Sequence, residues 1–303
     1  MAIEMATKIF FDFNMFTPFI EGGEKINGYT VLFFTGLLAL FYFALAAIFR
    51  VLTTRTFPEN TKSGSQSREN KFDTPSFVNK CISTVHSIIS VSLAAYVLHS
   101  EYQWDIFILA RNPSKHFGFT GPMLMNMVLE LGYVVYDTVY ILSNMNYKKP
   151  SSFDLLTLLH HVIISITFTQ ALFCPGGSAG CAIAVAWTLM GITTPFMNYK
   201  GMFDMLNMQE SSIYLYNAAM FTIGYLLVRV IYNSAVVYIV YTVLFVFSWE
   251  VVAEKIAFSL VLSFAMAFLQ YYWFYQLCVK IISHIKGEDK KLKTKGKDTK
   301  SQQ

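Results

Sequence analysis

Charge is what this chain has least of: 14% of its 303 residues are Asp, Glu, Lys or Arg. A soluble domain carries about a quarter, so there is too little charge here to clothe a water-facing surface. Cysteine is scarce as well, with four thiols at Cys81, Cys174, Cys181 and Cys278. None stands in a CxxC or Cys/His ligand spacing, so no metal site is indicated and no cofactor is expected. Cys174 and Cys181 bracket a short loop. They suit a disulfide if that loop faces an oxidising compartment, and two small buried thiols otherwise. The first 28 residues lack the basic start of a signal peptide, because Glu4, Asp12, Glu21 and Glu24 interrupt it, and no small-residue cleavage site follows an apolar core. The same acids argue against a typical mitochondrial presequence, while import by an internal signal stays open. There is no internal repeat. These absences exclude a nucleic-acid module, a disordered scaffold and an ordinary cytosolic enzyme.

What is there is hydrophobicity. Apolar residues make up 54% of the chain, Phe occurs 28 times and Tyr 18 times, and mean hydropathy is +0.45. Windows of about 20 apolar residues fall at Tyr29–Phe49, Val78–Leu98, Pro122–Ser143, Asp154–Phe173, Ala179–Asn198, Ser211–Tyr232 and Ile256–Ser283. An eighth apolar run, Asn233–Trp249, is ambiguous. With the N-terminus outside and seven spans, the inner face receives Arg50, Arg55, Lys62, Arg68, Lys71, Lys148, Lys149, Lys200 and the lysines from Lys280 to Lys300. The outer face receives only Lys8, Lys25, Arg111, Lys115 and Lys255. An eighth span would put the lysine tail opposite the basic first loop, against the positive-inside rule. Asn233–Trp249 is therefore expected to be a helix extension or a re-entrant piece. The expected organisation is a polar segment over 1–28, an extra transmembrane helix over 29–49 and a polar loop over 50–74. A transmembrane domain over 75–285 and a disordered Lys-rich tail over 286–303 follow. The tail is expected on the cytosolic (or matrix) side.

Ionisable groups inside a bilayer are expensive and mark function or glue. Here they are His86, Glu130, Asp137, His160, His161 and Arg229. At about 1.5 Å per residue, His160 and Asp137 lie about 9 Å from the inner end of their helices, His86 about 12 Å and Thr194 about 6 Å. Four helices thus place polar groups at similar depth. Asn126, Glu130, Tyr133, Asp137 and Tyr140 make one helical stripe; Asn79, Ser83, His86 and Ser90 make another. Asp154, Thr157, His161 and Ser165 share a third face, with His160 about 100° away. Lipid cannot satisfy these stripes, so they are expected to face one another or a cavity.

Each group has a plain reading beside the functional one. His86 and its serines suit interhelical hydrogen bonding. Glu130 and Asp137 suit pairing with histidines or cations. Arg229, near its helix's outer end, suits snorkelling or pairing with Glu130. Trp273 suits packing with its neighbouring tyrosines. Thr193-Thr194-Pro195 is expected to break a helix and free carbonyls that hydroxyls can re-satisfy. The histidine pair can exchange a proton near neutral pH, with Asp137 as orienter.

The ordered series Asn79-Lys80-Cys81-Ile82-Ser83-Thr84-Val85-His86, Gly132-Tyr133 with Tyr136-Asp137, and His160-His161 resembles the TLC-domain membrane proteins. Ile192-Thr193-Thr194-Pro195-Phe196 with Asn198, then Asn217, Arg229 and Trp273-Phe274-Tyr275, continue the likeness, which covers about residues 75–285. It looks closer to the TLC-domain-containing branch than to the ceramide synthases. The resemblance implies an all-α transmembrane fold: a seven-helix bundle, with one N-terminal helix before a six-helix barrel around a lipid-accessible cavity. Ceramide synthases of this family transfer an acyl chain from acyl-CoA to a sphingoid amine, and the paired histidines match part of that machinery. Its acidic second part falls on Met190, Gly191 and Thr194, which cannot exchange a proton.

Three functions follow as expectations. The first is a protein that binds membrane lipids or influences membrane lipid composition without full ceramide synthase chemistry. His86, Glu130, Tyr133, Thr193, Thr194, Arg229 and Trp273 would then line its cavity. The second is a lipid acyltransferase, using acyl-CoA or a sphingolipid substrate, with His160, His161 and Asp137 as catalytic residues. The third is a structural subunit of a membrane assembly with protein partners, docking through the 233–249 segment. The family default is the endoplasmic reticulum; the plasma membrane and the mitochondrial inner membrane stay open.

Overall fold

A computed structural model describes residues 28–56, 73–108, 120–173, 177–246 and 257–285. Among these the elements are helical: α1 Gly28–Thr56, α2 Thr74–Tyr102, α3 Gly121–Asn144, α4 Ser152–Phe173, α5 Gly177–Thr188, α6 Thr194–Met205, α7 Ser212–Gly224, α8 Asn233–Val246 and α9 Ala257–Ile285. A 3₁₀ segment, Leu189–Thr193, joins α5 to α6, and a π-helical segment, Tyr225–Tyr232, joins α7 to α8. The result is seven rods, five of them long and apolar enough to cross a membrane by length and composition. The chain is an all-α integral membrane protein.

The helix starts are written in short polar residues. Asp73 accepts from the Ser76 amide, Thr120 from Met123 and Ser211 from Tyr214, so each satisfies one of the orphan donors of a first turn. Pro75 and Pro122 sit where the missing N–H is harmless. At its far end α1 runs on to Thr56, seven residues past Phe49. There the Thr54 and Thr56 hydroxyls fold back onto the carbonyls of Arg50 and Leu52. The ambiguous eighth run resolves as a helix extension over its described part. α8 continues the rod of α7 without a turn, and Val236 and Ile239 are buried against Leu98, Met123 and Val185. The combined rod, Ser212 to Val246, is about 50 Å long, against about 30 Å of bilayer hydrocarbon. It must therefore tilt or project. Trp249, the first loop from residue 57 to 72, residues 1–27 and the lysine tail lie outside the described residues.

α1 packs along α3 and α2. Its contact with α3 is made at Gly132, where an added Cβ would lie 2.8 Å from Leu38 Cβ and 3.2 Å from the Thr35 carbonyl. The outward face of α1, with Leu32, Phe33, Leu37, Leu40 and Phe41, is exposed. Lipid is as apolar as these side chains, so such a face needs no cover. Apolar cores close the bundle where α2 ends and α3 begins, and α4 packs through Phe168 and Leu172 onto Met127 and Cys181. Cys181 is a free, buried thiol that donates to the Ala171 carbonyl. Cys174 lies outside the described residues.

Candidate functional site

The polar stripes turn inward and surround a cavity of about 150 Å³. Seven of the ten residues singled out from sequence line it: His86, Glu130, Tyr133, His160, His161, Thr194 and Arg229. Asp137, Thr193 and Trp273 stand just behind, each touching a lining residue. Three distinct arrangements make up the wall.

The first joins α1, α2, α3 and α5. His86 Nε2 lies 3.4 Å from Glu130 Oε2, and His86 Nδ1 is 2.9 Å from the Tyr42 hydroxyl. The Tyr133 ring stacks flat on the imidazole at 3.9 Å. Ser90 donates to the other Glu130 oxygen, and Asn126 donates to the Ser90 carbonyl at 2.9 Å. Thr188 in turn donates to Asn126 Oδ1. Both ring nitrogens of His86 and both oxygens of Glu130 are therefore engaged. Tyr42 is fully buried and comes from the helix that precedes the domain.

The second arrangement lies toward the α3–α4 connection. His161 Nε2 is 3.3 Å from Asp137 Oδ2, and His161 Nδ1 is 3.0 Å from the Thr138 hydroxyl. Asn79 donates to Asp137 Oδ1 at 2.9 Å. Both carboxylates of the α3 stripe thus face a histidine, and Asp137 orients His161 rather than His160. The neighbouring His160 differs. Its ring meets Trp273 edge-on at 5.7 Å, its Nδ1 is buried with no hydrogen-bond partner, and Trp273 Nε1 is likewise unpartnered.

The third arrangement occupies the two helix irregularities. The 3₁₀ segment ending at Thr193 opens the α5–α6 rod just before Pro195, as the Thr-Thr-Pro run implied. The Gly191 carbonyl accepts from the Thr194 amide and, at 2.5 Å, from the Ser87 hydroxyl, and Thr193 donates to the Met190 carbonyl at 3.2 Å. Opposite, the π-helical segment carries Arg229. π-Helical turns are rare and gather at functional sites, because the extra residue re-aims a side chain. Arg229 neither snorkels nor reaches Glu130. Its Nε donates to Thr193 at 2.7 Å, Nη1 to Gln270 at 3.0 Å and Nη2 to Thr194 at 3.3 Å. The Tyr225 ring lies 5.3 Å from the guanidinium, and Tyr225 also donates to Gln270. Two asparagines fix this region: Asn198 donates to Thr84 on α2, and Asn217 to the Phe196 carbonyl.

Sequence reasoning missed Tyr42, Ser87, Thr138, Thr188 and Gln270. Gln270 carried a usable signal, since an amide in the middle of an apolar span demands partners. Tyr42 carried none, being one aromatic among many. Chemically the site offers two occupied histidine–carboxylate pairs, one unengaged imidazole nitrogen and one guanidinium held by neutral acceptors. Among the described residues no group of three or more His, Cys, Asp or Glu is placed to hold a metal ion.

No curated protein sequence matches the chain. A family model described as the TLC domain matches residues 76–279, two-thirds of the sequence and almost all of the bundle that follows α1. The chain belongs to the TLC-domain family.

Proposed function

We propose that this TLC-domain protein holds part of a membrane lipid in its bundle cavity and so influences membrane lipid composition, without full ceramide synthase chemistry. The observation that carries the reading is the cavity itself, about 150 Å³ lined by polar and apolar side chains from six of the seven rods. A volume of that size takes roughly five waters, or a lipid's polar end with its first carbons, but not a whole lipid. The acidic positions of a ceramide synthase fall on Met190, Gly191 and Thr194, and here these serve the helix break and the Arg229 contact. His161 supports the same reading, since both its ring nitrogens are engaged in holding α4 to α3. Native mass spectrometry of the chain released from gentle detergent is expected to show retained lipid. An empty protein whose melting does not respond to added lipid would sink the proposal.

One observation favours a second reading, a lipid acyltransferase: the His160 imidazole lines the cavity and takes part in none of the hydrogen bonds among the described residues, which suits a base or nucleophile. Cells lacking the protein and complemented with His160→Ala separate the two. Full rescue of the lipid profile supports binding alone, and a profile like that of the deletion supports chemistry at His160.

A further inference from the structure

Arg229 is the one Lys or Arg side chain among the residues lining the cavity. A guanidinium has five N–H donors and no acceptor. Three of these donors are used, on Thr193, Gln270 and Thr194, and all three acceptors are neutral. The Tyr225 hydroxyl is a further partner of the guanidinium, and at least one N–H on a terminal nitrogen remains. The charge remains too: the ion pairs among the described residues are His86–Glu130, His161–Asp137 and Lys200–Asp204, and none includes Arg229. Glu130 shares the cavity but is held by His86 and Ser90. A cation buried in a low-dielectric setting without an anion is strongly disfavoured. Yet the fold builds this one deliberately, with a π-helical turn to aim it and two threonines and a glutamine to fix it. Across the same cavity, His160 Nδ1 waits without a partner.

We propose that Arg229 and His160 together receive the carboxylate of a fatty acid, with the hydrocarbon chain passing between helices into the surrounding lipid. A guanidinium with an uncompensated charge and donor capacity to spare calls for an anionic oxygen, and carboxylate is the anion whose geometry Arg fits best. The neutral imidazole of His160, which lines the same cavity without a hydrogen-bond partner, adds an N–H donor. The cavity volume admits a carboxylate and its first methylenes. This inference rests on the lipid-binding reading above and adds the charge and class of the ligand.

The test is equilibrium binding of radiolabelled oleate to the full-length chain in non-ionic detergent, with unlabelled oleate, oleyl alcohol and acetate as competitors. Oleate is expected to compete at least about tenfold better than the alcohol, and acetate not at all. In Arg229→Gln the preference for oleate over the alcohol should fall to near one. Arg229→Lys, which keeps the charge and removes the fork, should fall between. If Arg229→Gln does not fold, the wild-type comparison of acid with alcohol decides alone. Equal competition by oleyl alcohol overturns the carboxylate assignment and leaves lipid binding standing. Effective competition by acetate overturns the fatty acid as the source. Failure of oleate and oleyl alcohol alike to bind overturns both this inference and the lipid-binding proposal.

Discussion

The two halves of the cavity wall obey different rules. Where α2 and α3 face each other the helices are regular and Tyr42, His86, Glu130, Ser90, Asn126 and Thr188 form one chain of donors and acceptors, with Asn79 Oδ1 the unpartnered atom of the α2 stripe. Where α5–α6 faces α7–α8 and α9 the helices are irregular, and polar capacity is left over on Arg229, His160 and Trp273. An unsatisfied polar group buried away from water is destabilising, so several of them gathered on one wall of a cavity suit a ligand that completes them. The wall linked by the donor–acceptor chain is scaffold, and the wall with capacity left over is where a ligand belongs.

The largest expected effect tests the scaffold. Glu130→Leu leaves His86 and Ser90 facing a hydrocarbon side chain, and breaking a buried pair by removing one partner costs about 3–5 kcal/mol. On the opposite wall, Arg229→Gln should change stability by no more than about 1 kcal/mol, because its acceptors are hydroxyls and an amide that can pair among themselves. Thermal unfolding of the purified variants in lipid-free detergent compares the two. A loss in Arg229→Gln as large as that in Glu130→Leu would erase the distinction between scaffold and ligand wall.

A smaller effect tests how the scaffold is assembled. Gly132→Ala pushes a methyl group against Leu38 Cβ and the Thr35 carbonyl. Neither can yield without moving the α1 backbone, and overpacking of this kind costs about 1–3 kcal/mol. Since α1 brings Tyr42 to His86, the displacement should loosen that contact as well. Tyr42→Phe alone removes one hydrogen bond, worth about 1 kcal/mol. In the Gly132→Ala background it should cost measurably less, a coupling that a double-mutant cycle reads directly. Strict additivity would mean that α1 and His86 are independent, and that the helix before the domain only accompanies it.

The contrast between the walls also marks how far the sequence could be read. The seven rods were legible from apolar windows, and the positive-inside count argued for a helix extension or re-entrant piece over an eighth crossing. Residues Asn233–Val246 duly continue a helix into the core. The polar stripes on α2 and α3 were legible because a 3.6-residue period in Asn126, Glu130, Tyr133 and Asp137 has no meaning in lipid except as an inward face. The helix break at Thr193-Thr194-Pro195 announced itself through proline. The π-helical turn did not, because Tyr225–Tyr232 reads as an ordinary apolar helix, and so neither of the two readings open for Arg229, snorkelling or pairing with Glu130, matches its contacts with Thr193, Thr194 and Gln270. Which nitrogen of which histidine is occupied depends on the placement of Thr138, Asp137 and Trp273 across helices, a tertiary fact that no spacing along one helix contains.

The smallest effect falls on the two adjacent histidines, identical in chemistry and opposite in circumstance. His161→Phe removes one partner from each of Asp137 and Thr138 and leaves the buried carboxylate with Asn79 alone, so it belongs with the scaffold losses. His160→Phe preserves the edge contact with Trp273 and deletes a buried nitrogen that had no partner. A polar atom buried unpaired costs about 1–3 kcal/mol in mutational series, so removing it should leave stability unchanged or raise it by up to about 1 kcal/mol. The same variant should hold less oleate, since the imidazole donor to its carboxylate is gone. A His160→Phe chain that melts earlier than His161→Phe would show that His160 is bonded within the protein after all, and the ligand wall would then rest on Arg229 alone. Stability retained with oleate binding reduced is the outcome that a scaffold histidine cannot give.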